Sequence, residues 1–289
     1  MAVEIVARSQ RDQLGEGPLW SSRDQALFWV DILGRQVHRL SLHNRQVSSW
    51  TMPEPIGWLI ERDNARGFIA GFASGFFELS LDAQGGGISA SLLCRPPAHP
   101  ASNRLNDAKA DARGRIWAGS MPFKADQPTG NLYRLDVAHK VTLVDEGYTV
   151  ANGPALSLDG KFLYHTDSHA RVIYRFRMQD DGSLSAREVF IEFAPGWGDP
   201  DGMTVDSEGG LWVAHWGGSR VSRFDRQGKL ERSVQLPASQ ITSCAFAGPE
   251  LDRMFVTSAA DGVPNEPHAG CLFEIDPGVR GLAPFRYGG

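Results

Sequence analysis

The stretch GGLWVAH at residues 209–215, followed by SRVSRFD at 219–225, decides the fold. It reads as a turn, then glycine, two large apolar residues and a small one, then a second β-rich run. Both phrases recur along the chain. The first returns as ALFWVD (26–31), ARGFIAG (65–71), GRIWAGS (114–120), KFLYHTD (161–167) and DRMFVTS (252–258). The second returns as QVHRLSL (36–42), GFFELSL (75–81), GNLYRLD (130–136), RVIYRFR (171–177) and GCLFEID (270–276). The landmark apolar residues of the first phrase are Trp29, Ile69, Trp117, Tyr164, Trp212 and Phe255, spaced 40, 48, 47, 48 and 43 residues apart. A short strand rich in small residues precedes each copy, as in GPLWS, DAKADA, GPALSLDG and GMTVDSEG.

A repeat of about 40–50 residues with three or four strands per unit is the mark of a propeller blade. Six copies predict an all-β, six-bladed β-propeller around a central channel. One four-stranded sheet cannot bury both of its faces, but six packed radially bury one another. VEIVARS (Val3 to Ser9) is left over before the first copy, and it is expected to supply the outer strand of the last blade and close the ring. No linker divides the chain, so residues 1–289 read as one domain. RPPAHPAS (95–102) reads as a loop between blades two and three. PFKADQPTG (122–130) and AADGVPNEPHAG (259–270) read as insertions between the second and third strands of blades three and six. AQGGGIS (83–89) reads as a hairpin turn, not a phosphate cradle.

Composition agrees. The 289 residues include 32 Gly and 17 Pro, 42% are hydrophobic and 22% are charged, which is ordinary globular usage. Helical periodicity is hard to find. The net charge of −5 argues against a nucleic-acid partner, which needs basic patches. No apolar run approaches the roughly 20 residues that span a bilayer, so no membrane role is expected. The charged start MAVEIVARSQRDQLGEG reads as no secretory signal. Cys94, Cys244 and Cys271 are odd in number and lack a CxxC pair, which fits reduced thiols in a cytoplasmic protein, each read as a small core residue.

Propellers carry function near the axis, on one face. The polar residues just ahead of the innermost strands are Glu16 in LGEGPLW, Asn106 in NRLNDAKAD, Asn152 in VANGPALS and Asp201 in GDPDGMTVD. They precede their landmarks by 13, 11, 12 and 11 residues, so they are expected at one height around one channel mouth. Taken singly, Asn-Gly and Asp-Gly are ordinary turn dipeptides. Four in phase point to a site. Two carboxylates with one or two amide oxygens suit a hard divalent cation (Ca²⁺, Mg²⁺, Mn²⁺ or Fe²⁺, and Zn²⁺ less ideally). Without a cation the two carboxylates would repel.

These same motifs, LGEGPLW, NRLNDAKAD, VANGPALSLDG and DPDGMTVDSEGGLWVA, resemble those of the senescence-marker-protein/gluconolactonase family, also called regucalcin-like, across essentially the whole chain. FLYHTD and its surroundings are similar to bacterial aldonolactonases. The resemblance implies a six-bladed propeller, one divalent cation in the channel and hydrolysis of a pentono- or hexonolactone to the aldonic acid. By motif, Glu16, Asn152 and Asp201 would ligate the metal, Arg104 and Asn106 would hold the substrate, and Asp201 would also be the base. Arg104 has a competing role as a salt-bridge partner of Asp107 or Asp111. Asn103 shares the Arg104–Asn106 loop and adds a hydroxyl-binding group. Some relatives carry acidic residues in the blade-three insertion, where this chain has Lys124, a further donor on the rim. Phe123 and His268 are expected in the rim or a lid. His165, His215 and Trp216 are second-line candidates for the pocket wall. Two other functions fit the same pocket: a metal-dependent phosphotriesterase, and a non-catalytic calcium-binding regulator.

Overall fold

The computed structural model describes residues 3–82 and 86–289. Residues 83–85, the start of the AQGGGIS segment, lie outside the described residues. Among the described residues, 24 strands form six four-stranded antiparallel sheets. Five sheets are built from consecutive strands. The sixth takes Val3–Ile5 as its outer strand, paired antiparallel with Phe273–Ile275. The first and last strands of the chain therefore share a blade, as the leftover N-terminal segment required. No helix among the described residues is long and apolar enough to cross a membrane.

The core lies between blades. Phe28 and Trp50 of blade one pack with Ile56 and Phe72 of blade two. Trp212 and Val234 of blade five pack with Phe246 and Phe273 of blade six. The landmark tryptophans Trp29, Trp117 and Trp212 are fully buried. A buried indole N–H needs an acceptor, and each finds a carboxylate: Asp12 at 2.9 Å, Asp111 at 2.8 Å and Asp206 at 2.8 Å. Asp111 also takes Arg115 at 2.7 Å. The alternative partnership of Asp111 with Arg104 is not formed. Of the cysteines, only Cys244 is buried, while Cys94 and Cys271 are half-buried at cluster edges.

Every innermost strand is bulged, and the bulge positions the site. In blade one Glu16 pairs with Val30 and Leu19 with Phe28, leaving two residues opposite Trp29. Blades three, four and five are irregular in the same way, opposite Gly119, His165 and Ala214. Glu16, Asn106, Asn152 and Asp201 share one offset from these opposing residues. The scatter against the apolar landmarks belongs to the landmarks. Asn-Gly and Glu-Gly sit here inside strands, not in turns. Gly17 and Gly153 adopt φ of 53° and 69°, a left-handed conformation that glycine reaches without penalty. A bulge bends its strand and re-aims the neighbouring side chain.

The chain after Ile275 was not legible as an element. It crosses the face opposite the site. Gly281 N–H donates to Leu251 O at 2.7 Å, and Tyr287 N–H to Glu61 O at 2.8 Å. Leu282 to Phe285 lie under the channel, against the far ends of the innermost strands. Tyr287 is fully buried and its hydroxyl donates to Asp136 O at 2.8 Å.

Candidate functional site

The near mouth of the channel opens into a cleft of about 300 Å³. Glu16, Arg104, Asn106, Asn152, Asp201 and Trp216 line it. The four polar residues in phase are therefore brought together, and Arg104 joins them. All five polar residues are at most 5% exposed.

Two of the innermost strands enter the site through a turn clamped by a carboxylate. Asp31, at the end of ALFWVD, accepts from Gln13 N–H and Leu14 N–H, both at 2.9 Å, just ahead of Glu16. Asp167, at the end of KFLYHTD, accepts from Thr149 N–H at 3.1 Å and Val150 N–H at 3.2 Å, just ahead of Asn152. In the strand register His215 stands opposite Pro200 as Asp31 stands opposite Gly15 and Asp167 opposite Ala151. Its Nδ1 lies 2.7 Å from Trp197 O in the approach to Asp201. Asp31 and Asp167 escaped the sequence reading, although the recurrence of Asp at the end of the two phrases was visible.

The electrostatics are unusual for a buried place. Burial, then the nearby Asp107 charge, pushes the Glu16 carboxyl up to about 8. Burial, then Glu16, then Asp107, raises Asp201 far above the usual carboxylate range. Asp107, itself 2% exposed, is raised to about 6 by burial. Arg104 is lowered to about 10 by burial, against the pull of Glu16 and Asp201. Asp201 Oδ1 and Asp107 Oδ2 are buried with no hydrogen-bond partner among the described residues. A buried polar oxygen left unpaired costs about 1–3 kcal/mol, more when charged. Among the described residues, no three His, Cys, Asp or Glu side chains gather for a metal. The donor set at the mouth is mixed: two carboxylates that repel, one with an orphaned oxygen, and the amide oxygen of Asn152. That set fits a hard divalent cation and not a thiolate or imidazole metal.

The amides are held in a defined way. Arg104 Nη1 donates to Asn106 Oδ1. Asn106 Nδ2 donates to Ala151 O and to Asn152 Oδ1, both at 2.6 Å. Asn152 Nδ2 donates to Ser168 Oγ at 2.8 Å. Arg104 makes no ion pair with Asp107 or Asp111. Its side chain lines the cleft.

Other predicted positions lie elsewhere. Asn103 and Arg104 are neighbours on a strand, so their side chains take opposite faces. Asn103 Nδ2 donates to Thr129 O at 2.8 Å, tying down the insertion and not lining the cleft. Lys124 is exposed, and its neighbours Phe123 and Ala125 line the cleft in its place. His268 is half-buried outside the lining, and Asp261 of the same insertion reaches it. Of the three candidate wall residues, only Trp216 lines the cleft. His165 is fully buried, edge-on to Tyr148 at 4.6 Å, and burial lowers its imidazole to about 3. His215 is fully buried against Phe193 at 4.7 Å, and burial lowers it to about 4. Both rings are too enclosed to meet a ligand in the cleft.

A six-bladed propeller with carboxylates, amides and a guanidinium at one channel mouth defines a class of small-molecule sites on a rigid ring. Within that class the chain matches the SMP-30/gluconolactonase/LRE-like family over residues 14–260, and it belongs to that family. It is 35% identical over 280 residues to a 6-deoxy-6-sulfogluconolactonase of Pseudomonas putida, covering 95% of this chain and 94% of that one. It is 35% identical over 288 residues to a pentonolactonase of Haloferax volcanii, covering 95% and 94%. Among solved structures it is similar to a calcium-binding protein, regucalcin, from Agrobacterium tumefaciens, with a TM-score of 0.91, 27% identity and coverage of 99% and 97%.

Proposed function

We propose that this protein is a metal-dependent sugar lactonase that hydrolyses a pentono- or hexonolactone to its aldonic acid. The observation that carries the reading is the buried Glu16–Asp201 pair with an unpartnered Asp201 oxygen, beside the Arg104–Asn106–Asn152 line. The relatives named as lactonases of a sulfo-sugar acid and of pentonic acids support the reaction class.

Glu16, Asn152 and Asp201 would hold the divalent cation, and a bound cation supplies the positive charge that polarises the lactone carbonyl. Asp201 is the residue assigned to the proton. As an ionised carboxylate beside the cation it would take a proton from the attacking water and return it to the ring oxygen as the C–O bond breaks. Arg104 presents a guanidinium in a nearly water-free setting, suited to a ring hydroxyl or to the oxygen on which charge develops. Asn106 aligns Arg104 and Asn152 and faces the cleft between them. Trp216 and Phe123 give the sugar ring apolar walls.

The relative described as a calcium-binding protein keeps a non-catalytic calcium role as the second reading. Hydrolysis rates on aldonolactones, aliphatic lactones and a phosphotriester, each with Ca²⁺, Mn²⁺, Mg²⁺, Fe²⁺ and Zn²⁺, separate these functions. A preference for aldonolactones is expected, because an aliphatic ring leaves the buried donors of Arg104 unpaired. Higher kcat/KM on the phosphotriester or the aliphatic lactones defeats the proposal. Calcium binding with no turnover on any of them supports the second reading.

A further inference from the structure

A one-directional line of hydrogen bonds runs from blade three to blade four: Arg104 to Asn106, Asn106 to Asn152, Asn152 to Ser168. Its direction is forced. A guanidinium only donates, so Asn106 must receive through its oxygen and give through its nitrogen. Asn152 then receives through Oδ1 and must give through Nδ2. The line needs a final acceptor, and Ser168 Oγ is that acceptor, 2.8 Å away. Ser168 is 7% exposed and borders the cleft. Its backbone is fixed by a bond to Val150 O at 2.9 Å and follows directly on the Asp167 clamp.

We propose that Ser168 is a positioning residue for cation binding, because the bond it accepts from Asn152 Nδ2, together with the bond Asn106 gives to Asn152 Oδ1, holds that amide with its oxygen available to a cation. This inference rests on the cation reading above. A carbonyl oxygen has two acceptor sites. Asn106 uses one on Asn152 Oδ1, and the second is left for the cation. Without Ser168 the Nδ2 group loses its only acceptor among the described residues, and the bond from Asn106 alone is left to oppose a rotation of the amide that would offer a donor to a cation. The Ser168 hydroxyl proton is not used by Asn152, so it is free to point into the cleft toward a ring hydroxyl.

The test is calorimetric titration of chelator-treated protein with Ca²⁺ and with Mn²⁺. Residues that orient a metal ligand typically change affinity by roughly 10- to 100-fold when lost. Ser168→Ala should weaken cation binding by that factor, with the melting temperature of the cation-free protein little changed. Ser168→Thr, which keeps the hydroxyl, should bind nearly as wild type. If Ser168→Ala does not fold, Ser168→Cys serves, since its sulfur is a weak acceptor of similar size. Wild-type affinity in the alanine or cysteine variant overturns the role of Ser168 and leaves the cation reading standing. No binding of either ion by the wild-type chain overturns the cation reading itself.

Discussion

Glu16→Gln should make the cation-free protein more stable while abolishing its function. Glu16 is buried, and its carboxyl is moved from its ordinary 4.5 to about 8 by burial and by Asp107. Each tenfold change in proton affinity is worth about 1.4 kcal/mol, so the ionised group costs the folded chain about 5 kcal/mol at the limit. The sign follows from the raised value. Between pH 4.5 and 8 the folded state holds this proton and the unfolded state does not, so stability falls as pH rises. Below that window the cost is absent, and above it the cost is complete. Glutamine keeps the shape, and its amide oxygen can still accept from Gly17 N–H, now at 3.0 Å from Glu16. Loss of the attraction to Arg104 offsets part of the gain. Urea unfolding of chelator-treated protein should therefore show no gap near pH 4.5, and the variant ahead by about 2–5 kcal/mol at pH 9. Calcium at about 100 times its Kd should add about 2.7 kcal/mol to wild type and nothing to the variant. A gap that is absent at pH 9, or equal at every pH, would refute the electrostatic account of the site.

Other outcomes follow from the same geometry. Asp201→Asn keeps the shape and removes the charge, so both cation binding by calorimetry and lactone turnover should vanish; full turnover would remove both roles assigned to it. Asp167→Ala strips the acceptor from Thr149 and Val150 N–H and should lower the unfolding free energy by about 2–4 kcal/mol while weakening cation binding. Tyr287→Ala should cost about 3–5 kcal/mol in urea unfolding, since it empties a fully buried site. Its folded fraction should keep wild-type cation affinity, because Tyr287 lies at the opposite face of the ring; an equal loss of affinity would show that the far face is coupled to the mouth.

How far the sequence could be read depended on the range of the interactions. A blade must repeat the same alternation to pack against its neighbours, so the phrases around Trp29, Trp117 and Trp212 were visible as a period, and ring closure by Val3–Ile5 followed from the strand left over. Glu16, Asn106, Asn152 and Asp201 were visible because symmetry turns equal phase into equal height. Their true common offset runs to the residues opposite the bulges, which only pairing reveals. Asn103 could have been separated from Arg104 by strand alternation, a local rule that the loop-like reading of NRLND obscured. The C-terminal crossing had no such rule behind it. Its bonds join residues 281 and 287 to Leu251 and Glu61, partners from different blades, and no periodicity encodes them.

The burial of His165 and His215 shows why residue type alone misleads at a propeller mouth. Both stand near the end of a second strand, the place that returns to the functional face. Both rings nevertheless lie outside the cleft lining. His165 packs on Tyr148 between blades, and His215 faces Trp197 O and Phe193. Asn152 and Asp201, which reach the cleft, come from the innermost strands, and Trp216 comes from the very tip of the next. Of the four polar residues in phase, Glu16 and Asn152 stand beside the bulge of their strand, and Asn106 and Asp201 stand within it. His215 stands in blade five where Asp31 and Asp167 stand in blades one and four, with its Nδ1 on Trp197 O in the approach to Asp201.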